Sequence, residues 1–135
     1  MLIPRKVKHR KHFRGKMRGI SNRGQNLEFG SFGLKAQSRG WLTSRQIEAA
    51  RRALTRFIKR EGQVWIRVFP DRPVTSQPNE TGMGGGKGSV DHYVCTVTPG
   101  RIIFEMDGVE QSIAKQALKL AQYKLPIKTK IISKP

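Results

Sequence analysis

Four cations recur at helical spacing within residues 43–61: Arg45, Arg52, Arg56 and Lys59. At about 100° per residue, with Arg45 at zero, the others fall at about −20°, +20° and −40°. Ile47, Ala50, Leu54, Phe57 and Ile58 lie on the opposite side, at about 120–220°. A stripe of guanidinium and ammonium groups can neutralise a row of phosphates. The competing reading is a solvated charged face, but such faces mix signs because acid–base pairs four residues apart support a helix. Only Glu48 and the terminal Glu61 are acidic here, too few to balance the ridge. The ridge is therefore expected to face phosphate.

A second concentration of cations precedes it. Arg5, Lys6, Lys8, Arg10, Lys11, Arg14, Lys16, Arg18 and Arg23 all fall before Gly24, and the first carboxylate is Glu28. This stretch has few apolar residues and neither a helical nor an alternating period, so it cannot bury enough surface to order itself. Phe13, Met17 and Ile20 offer surfaces for base stacking among the charges. It reads as an arm that threads into nucleic acid, and a tail kept only for solubility would more often be acidic.

The glycine-rich run at 82–88 holds Met83, Gly84, Gly86, Lys87 and Gly88 and invites comparison with a phosphate-binding loop. That motif is G-x-x-x-x-G-K-[ST], with its hydroxyl on Mg²⁺. Here Gly88 follows Lys87, so the hydroxyl is missing, and nucleotide hydrolysis is not expected. A loop that lets backbone approach an RNA closely fits better. His9, His12, His92 and Cys95 have no paired metal-ligand spacing. Cys95, in a β-type run, reads as a small buried hydrophobe. Nothing marks an activated nucleophile. Asp107 and Glu110 read as caps at a helix N-terminus, Trp65 as core, and Trp41 as either core or stacking.

These groups need a scaffold. The 135 residues carry 27 Lys or Arg against 9 Asp or Glu, a net charge of +18. One domain is the natural division at this length. An apolar share of 36% is thin for a free-standing core, and so much like charge repels itself until a polyanion neutralises it. A single cysteine excludes an internal disulfide. No apolar run is long enough for a bilayer or a secretory leader, so a soluble, intracellular protein is expected.

From residue 29 the pattern is α+β: a single compact domain (29–135) with two helices packed on a mostly antiparallel sheet, preceded by the basic arm (1–28). Residues 29–40 read as a strand interrupted by glycines. A helix spans 43–61, opened by the capping box Thr43-Ser-Arg-Gln46 and stopped by Gly62. Residues 64–69 form a strand. Pro70, Pro73 and Pro78 then interrupt regular structure. Two strands, 90–97 and 101–106, are joined by a tight turn at Pro99-Gly100. A second helix after residue 107 carries Ile113, Ala117, Leu120 and Ala121 inward and ends by Pro126, and residues 127–132 form the last strand.

The run Arg60-Glu-Gly-Gln-Val-Trp-Ile-Arg-Val-Phe-Pro70 closely resembles a signature of the bacterial large-subunit ribosomal protein L-sixteen family. Phe29-Gly-Ser-Phe-Gly-Leu-Lys-Ala36, Gln46-Ile-Glu-Ala-Ala-Arg-Arg-Ala53, Phe104-Glu-Met-Asp-Gly108 and Lys124-Leu-Pro-Ile-Lys-Thr129 follow in the family's order. The resemblance covers essentially the whole chain. It implies two helices on a β-sheet, and a basic arm and loop against large-subunit (23S-type) RNA near the aminoacyl-tRNA site and the peptidyl transferase region. It implies neighbouring ribosomal proteins as partners, with no catalytic residue, cofactor, metal, membrane or small-molecule substrate. The ribosome would be cytoplasmic or organellar. One departure stands out: Gly82 occupies the place of an arginine in the family's Arg-Met-Gly-x-Gly-Lys-Gly, so that cation is lost, with Arg72 and Arg101 available to compensate. The expected function is that of a structural constituent of the large subunit, supporting assembly and tRNA positioning. The alternatives are a phosphate-loop enzyme and a basic DNA- or RNA-binding protein acting outside the ribosome.

Overall fold

A computed structural model describes residues 2–3, 24–59, 61–76 and 89–134. The elements in chain order are β1 (Phe32–Ala36), β2 (Gly40–Thr43), α1 (Ser44–Ile58), β3 (Gln63–Ile66), β4 (Arg72–Ser76), β5 (Ser89–Val97), β6 (Ile102–Asp107), α2 (Gln111–Gln122) and β7 (Thr129–Ser133). They make two antiparallel sheets, one ordered β3-β6-β1-β7 and the other β2-β5-β4. The helices pack on each other; α1 leans on β2 and β5, and α2 on β1 and β7. This is the expected α+β fold with both helices, although its strands are divided between two sheets.

The core forms where these layers meet. Ile47, Ala50, Leu54 and Ile58 of α1 and Ala114, Ala117, Leu118 and Ala121 of α2 are buried with Leu34, Leu42, Phe104 and Met106. Alanines along α2 let the helices approach closely, so a modest apolar share still closes a core. Leu120, expected inside, is 38% exposed, and Leu118 takes the interior place.

Strand β6 is buried along Ile102, Ile103, Phe104, Glu105 and Met106 because both its faces are covered. One face meets the helices. Across the other run residues 24–30: Ile102 donates to the Gly24 carbonyl at 2.6 Å, and Leu27 lies over Gly33 so closely that a Cβ there would collide with it.

Several local expectations change in detail. Within the interval 29–40 the strand is shorter, β1 at Phe32–Ala36, and β2, which begins at Gly40, lies in the other sheet. The strand expected over 64–69 stops at Ile66. The Pro99-Gly100 turn does join β5 to β6, but it carries the chain from one sheet to the other; Gly100 donates to Ala36 and Ala36 to Arg101, both at 2.8 Å. Among the prolines, β4 forms nonetheless, as an edge strand paired only with β5. An edge tolerates Pro73 because half of its amides face away from the ladder.

Helix α1 has the expected capping box in full: Thr43 Oγ1 accepts from the Gln46 amide at 3.1 Å and Gln46 Oε1 accepts from the Thr43 amide at 2.9 Å. Its end differs. The left-handed residue is Lys59, at φ 52°, with Gly62 (φ 72°) three residues on. Gly62 is fixed by crowding, since a Cβ there would collide with the Asp107 carbonyl. Helix α2 has Glu110 at its N-cap position without a side-chain cap bond, and the Asp107 carboxylate accepts from the Gly108 amide within the preceding turn, so neither carboxylate caps the helix by a side-chain bond.

Candidate nucleic-acid interface

The amphipathic pattern of α1 is realised as read. Its apolar side enters the core, while Arg45, Arg52, Arg56 and Lys59 are all exposed. Glu48 sits beside the ridge and binds Arg51 at 2.9 Å, with Arg52 at 3.7 Å. The Arg51 hydrogen bond holds the Glu48 carboxyl below its ordinary range and pushes the Arg51 guanidinium up. Glu48 is thus occupied mainly by Arg51, a cation outside the ridge. Among the described residues, no carboxylate pairs with Arg45, Arg56 or Lys59.

Arg52, Thr55, Arg56 and Lys59 surround an open depression of about 430 Å³. The Thr55 hydroxyl donates to the Arg51 carbonyl at 2.9 Å, which turns it back onto the helix. The depression is therefore walled by three cations, of which Arg56 in the last turn and Lys59 at the C-cap stand where the macrodipole favours positive charge. Lys59 adds a cost to this arrangement. A non-glycine residue in the left-handed region loses roughly 1–2 kcal/mol to Cβ crowding.

A second cluster, which sequence reasoning missed, fixes the segment that leads into the domain. Glu105 is fully buried on β6, opposite both Trp65 and Gly33 in the ladders. Its Oε1 accepts three consecutive backbone amides, from Glu28 at 2.9 Å, Phe29 at 2.9 Å and Gly30 at 3.0 Å. Its Oε2 accepts from Arg67, which also pairs with Glu28 at 3.4 Å. Burial alone would raise this carboxyl, but the Gly30 amide, Arg67 and the other two amides outweigh it and hold the group below its ordinary range. Phe29 stacks on Trp65 with ring centroids 6.0 Å apart, and Arg67 lies 5.1 Å from the Phe29 centroid. Trp65 is therefore half-buried against Phe29 on the sheet face that carries Glu105. The available signal was an acid in the middle of Ile-Ile-Phe-Glu-Met, where every neighbour is apolar.

Arg101 and Arg72, the two cations considered as substitutes at the glycine loop, are both engaged. Arg101 donates to the Arg67 carbonyl at 2.9 Å and packs against Gly24; Arg72 lies 5.7 Å from the Trp41 ring. Arg5, Lys6, Lys8, Arg10, Lys11, Arg14, Lys16, Arg18 and Arg23 of the arm lie outside the described residues, as do Met83, Gly84, Gly86, Lys87 and Gly88 of the loop. Cys95 packs at the margin of the core and burial pushes its thiol up, away from a reactive thiolate. Among the described residues no three His, Cys, Asp or Glu side chains gather as a metal site, and no helix is long and apolar enough to cross a membrane.

An α+β scaffold that presents one helix face of exposed cations beside a single acid, Glu48, offers a surface complementary to a polyanion. The family model described as Ribosomal protein L16p/L10e matches residues 4–132, and the chain belongs to that family. Its members are structural proteins of the large ribosomal subunit, where they bind ribosomal RNA and serve translation; they are generally not enzymes.

Proposed function

We propose that the chain binds large-subunit RNA near the aminoacyl-tRNA site and the peptidyl transferase region, and that it supports subunit assembly and positions tRNA. The one-sided ridge of Arg45, Arg52, Arg56 and Lys59 carries this reading, because among the described residues only Arg52 has a carboxylate near it, a Glu48 shared with Arg51, and most of the charge is left for an external polyanion. Within the proposal the chain divides into a basic arm (1–28), which threads between RNA helices, and an RNA-binding domain (29–135). The arm's cations neutralise phosphates as it enters, and the Glu105 cluster supports the direction in which it leaves the sheet. The loop Met83, Gly84, Gly86, Lys87 and Gly88 brings its amides against RNA or tRNA where a Cβ would obstruct. No group of the protein takes part in bond making; its work is neutralisation and placement.

Large subunits reconstituted without the chain and then supplemented with it test the reading. Addition is expected to restore sedimentation of complete subunits and aminoacyl-tRNA binding, and Gly84→Val or Gly86→Val is expected to restore the first but not the second. Full tRNA binding by subunits that lack the chain would overturn the placement.

A further inference from the structure

Beyond the ridge, a groove of about 700 Å³ opens between α1 and α2. Phe57, Ile113 and Leu120 give it an apolar floor, and Arg56, Lys59 and Lys124 stand around it with one acid, Glu61. Two large apolar surfaces remain open there, Leu120 at 38% and Tyr123 at 69% exposure. Such a patch beside a cationic margin marks a binding surface more readily than a solvated one. Its volume lies within the ~300–1,000 Å³ of clefts that hold small organic groups. Three cations against one acid call for a partner that is apolar where it enters and anionic where it leaves.

Arg56 and Lys59 decide what that partner is, because they line both this groove and the cation-walled depression on the ridge. An RNA strand with its phosphates on the ridge already occupies the charged margin, and an acidic peptide would have to displace it. We propose that the groove takes an unstacked nucleobase of the same RNA strand, laid against Tyr123 and the Phe57–Leu120 floor, with Lys124 on the adjoining phosphate. RNA loops and bulges present such bases, and aromatic side chains hold them by stacking with little regard to sequence. This inference rests on the ridge being a phosphate surface, but it adds a requirement that phosphate alone does not satisfy.

The test compares single-stranded oligoadenylate with an abasic ribose-phosphate oligomer of the same length, using the full chain. The base-bearing strand is expected to bind about 5- to 150-fold tighter, the worth of stacking one base. Tyr123→Ala combined with Leu120→Ser, both on the exposed margin, should remove most of that discrimination and leave the salt dependence as it was. Tyr123→Phe should keep it. Equal affinity of the two oligomers for the native chain, or discrimination that survives in the double variant, would overturn the inference. So would an acidic peptide that displaces the RNA from the native chain but not from the double variant. Failure of the ridge reading shows itself separately, as a salt dependence that does not change when Arg52 and Arg56 are replaced.

Discussion

Replacing Glu105 with Gln keeps the shape of the side chain and removes its charge. The three amides of Glu28, Phe29 and Gly30 would then meet a neutral oxygen, and the new NH₂ would confront Arg67 with donor against donor. A hydrogen bond to a charged group contributes about 1.5–3 kcal/mol and a neutral one about 1, so three weakened bonds lose about 1.5–6 kcal/mol. Arg67 retains only the exposed Glu28 at 3.4 Å, and breaking a buried pair by removing one partner typically costs about 3–5 kcal/mol. The two routes overlap, giving an expected loss of about 3–5 kcal/mol. That is a large part of the ~5–15 kcal/mol available to a small domain. Urea unfolding followed by circular dichroism measures the total. Amide hydrogen exchange locates it, with protection expected to fall first at residues 28–30. A change below about 1 kcal/mol, or exchange at those amides equal to the native chain, would refute the idea that Glu105 holds this segment to the sheet.

The same carboxylate sets an acid limb. Its native pKa is lowered, so its contribution is fully present above the ordinary carboxylate pKa of about 4.3 and is lost as pH falls through the lower native value; stability measured against pH should flatten in that window for Glu105→Gln. Lys59→Gly relieves a left-handed side chain at φ 52° and is expected to raise stability by up to about 1 kcal/mol, while it weakens binding to ribosomal RNA in a filter assay. Thr43→Ala removes the hydroxyl of the capping box and should lower thermal stability by about 1 kcal/mol in calorimetry, with RNA affinity unaltered at temperatures where the chain is folded.

Helix α1 is legible in the sequence because three independent signals agree: the capping box, the apolar stripe and the cationic stripe all come from spacing along one helix. The sheets are harder. Strand pairing joins residues distant in sequence, so nothing in residues 32–43 says that β1 and β2 separate into different sheets. Spacing alone treats Lys59 as one more position on a regular helix, whereas the chain leaves helical geometry there. Its inclusion in the ridge still holds in space, because it lines the depression with Arg52 and Arg56. Residue type points Leu120 inward, and Leu118 takes that place because the α1–α2 contact decides which face of α2 is covered. The role of Glu105 has no counterpart in spacing at all. Its three amide partners come from 75 to 77 residues earlier in the chain and, being backbone, leave no mark on side-chain pattern, while its side-chain partner Arg67 lies 38 residues away.

The salt dependence of binding to large-subunit ribosomal RNA tests the ridge most directly. Each phosphate contact contributes about 0.7–0.9 to the slope of log affinity against log salt concentration. Changing Arg45, Arg52 and Arg56 to Gln keeps helix propensity nearly unchanged along α1, and with Lys59→Gln at the C-cap removes four cations exposed to solvent. If all four meet phosphate, the slope becomes shallower by about 3. A slope equal to that of the native chain, measured on a folded quadruple variant, would contradict the account: the ridge would then be a solvated face.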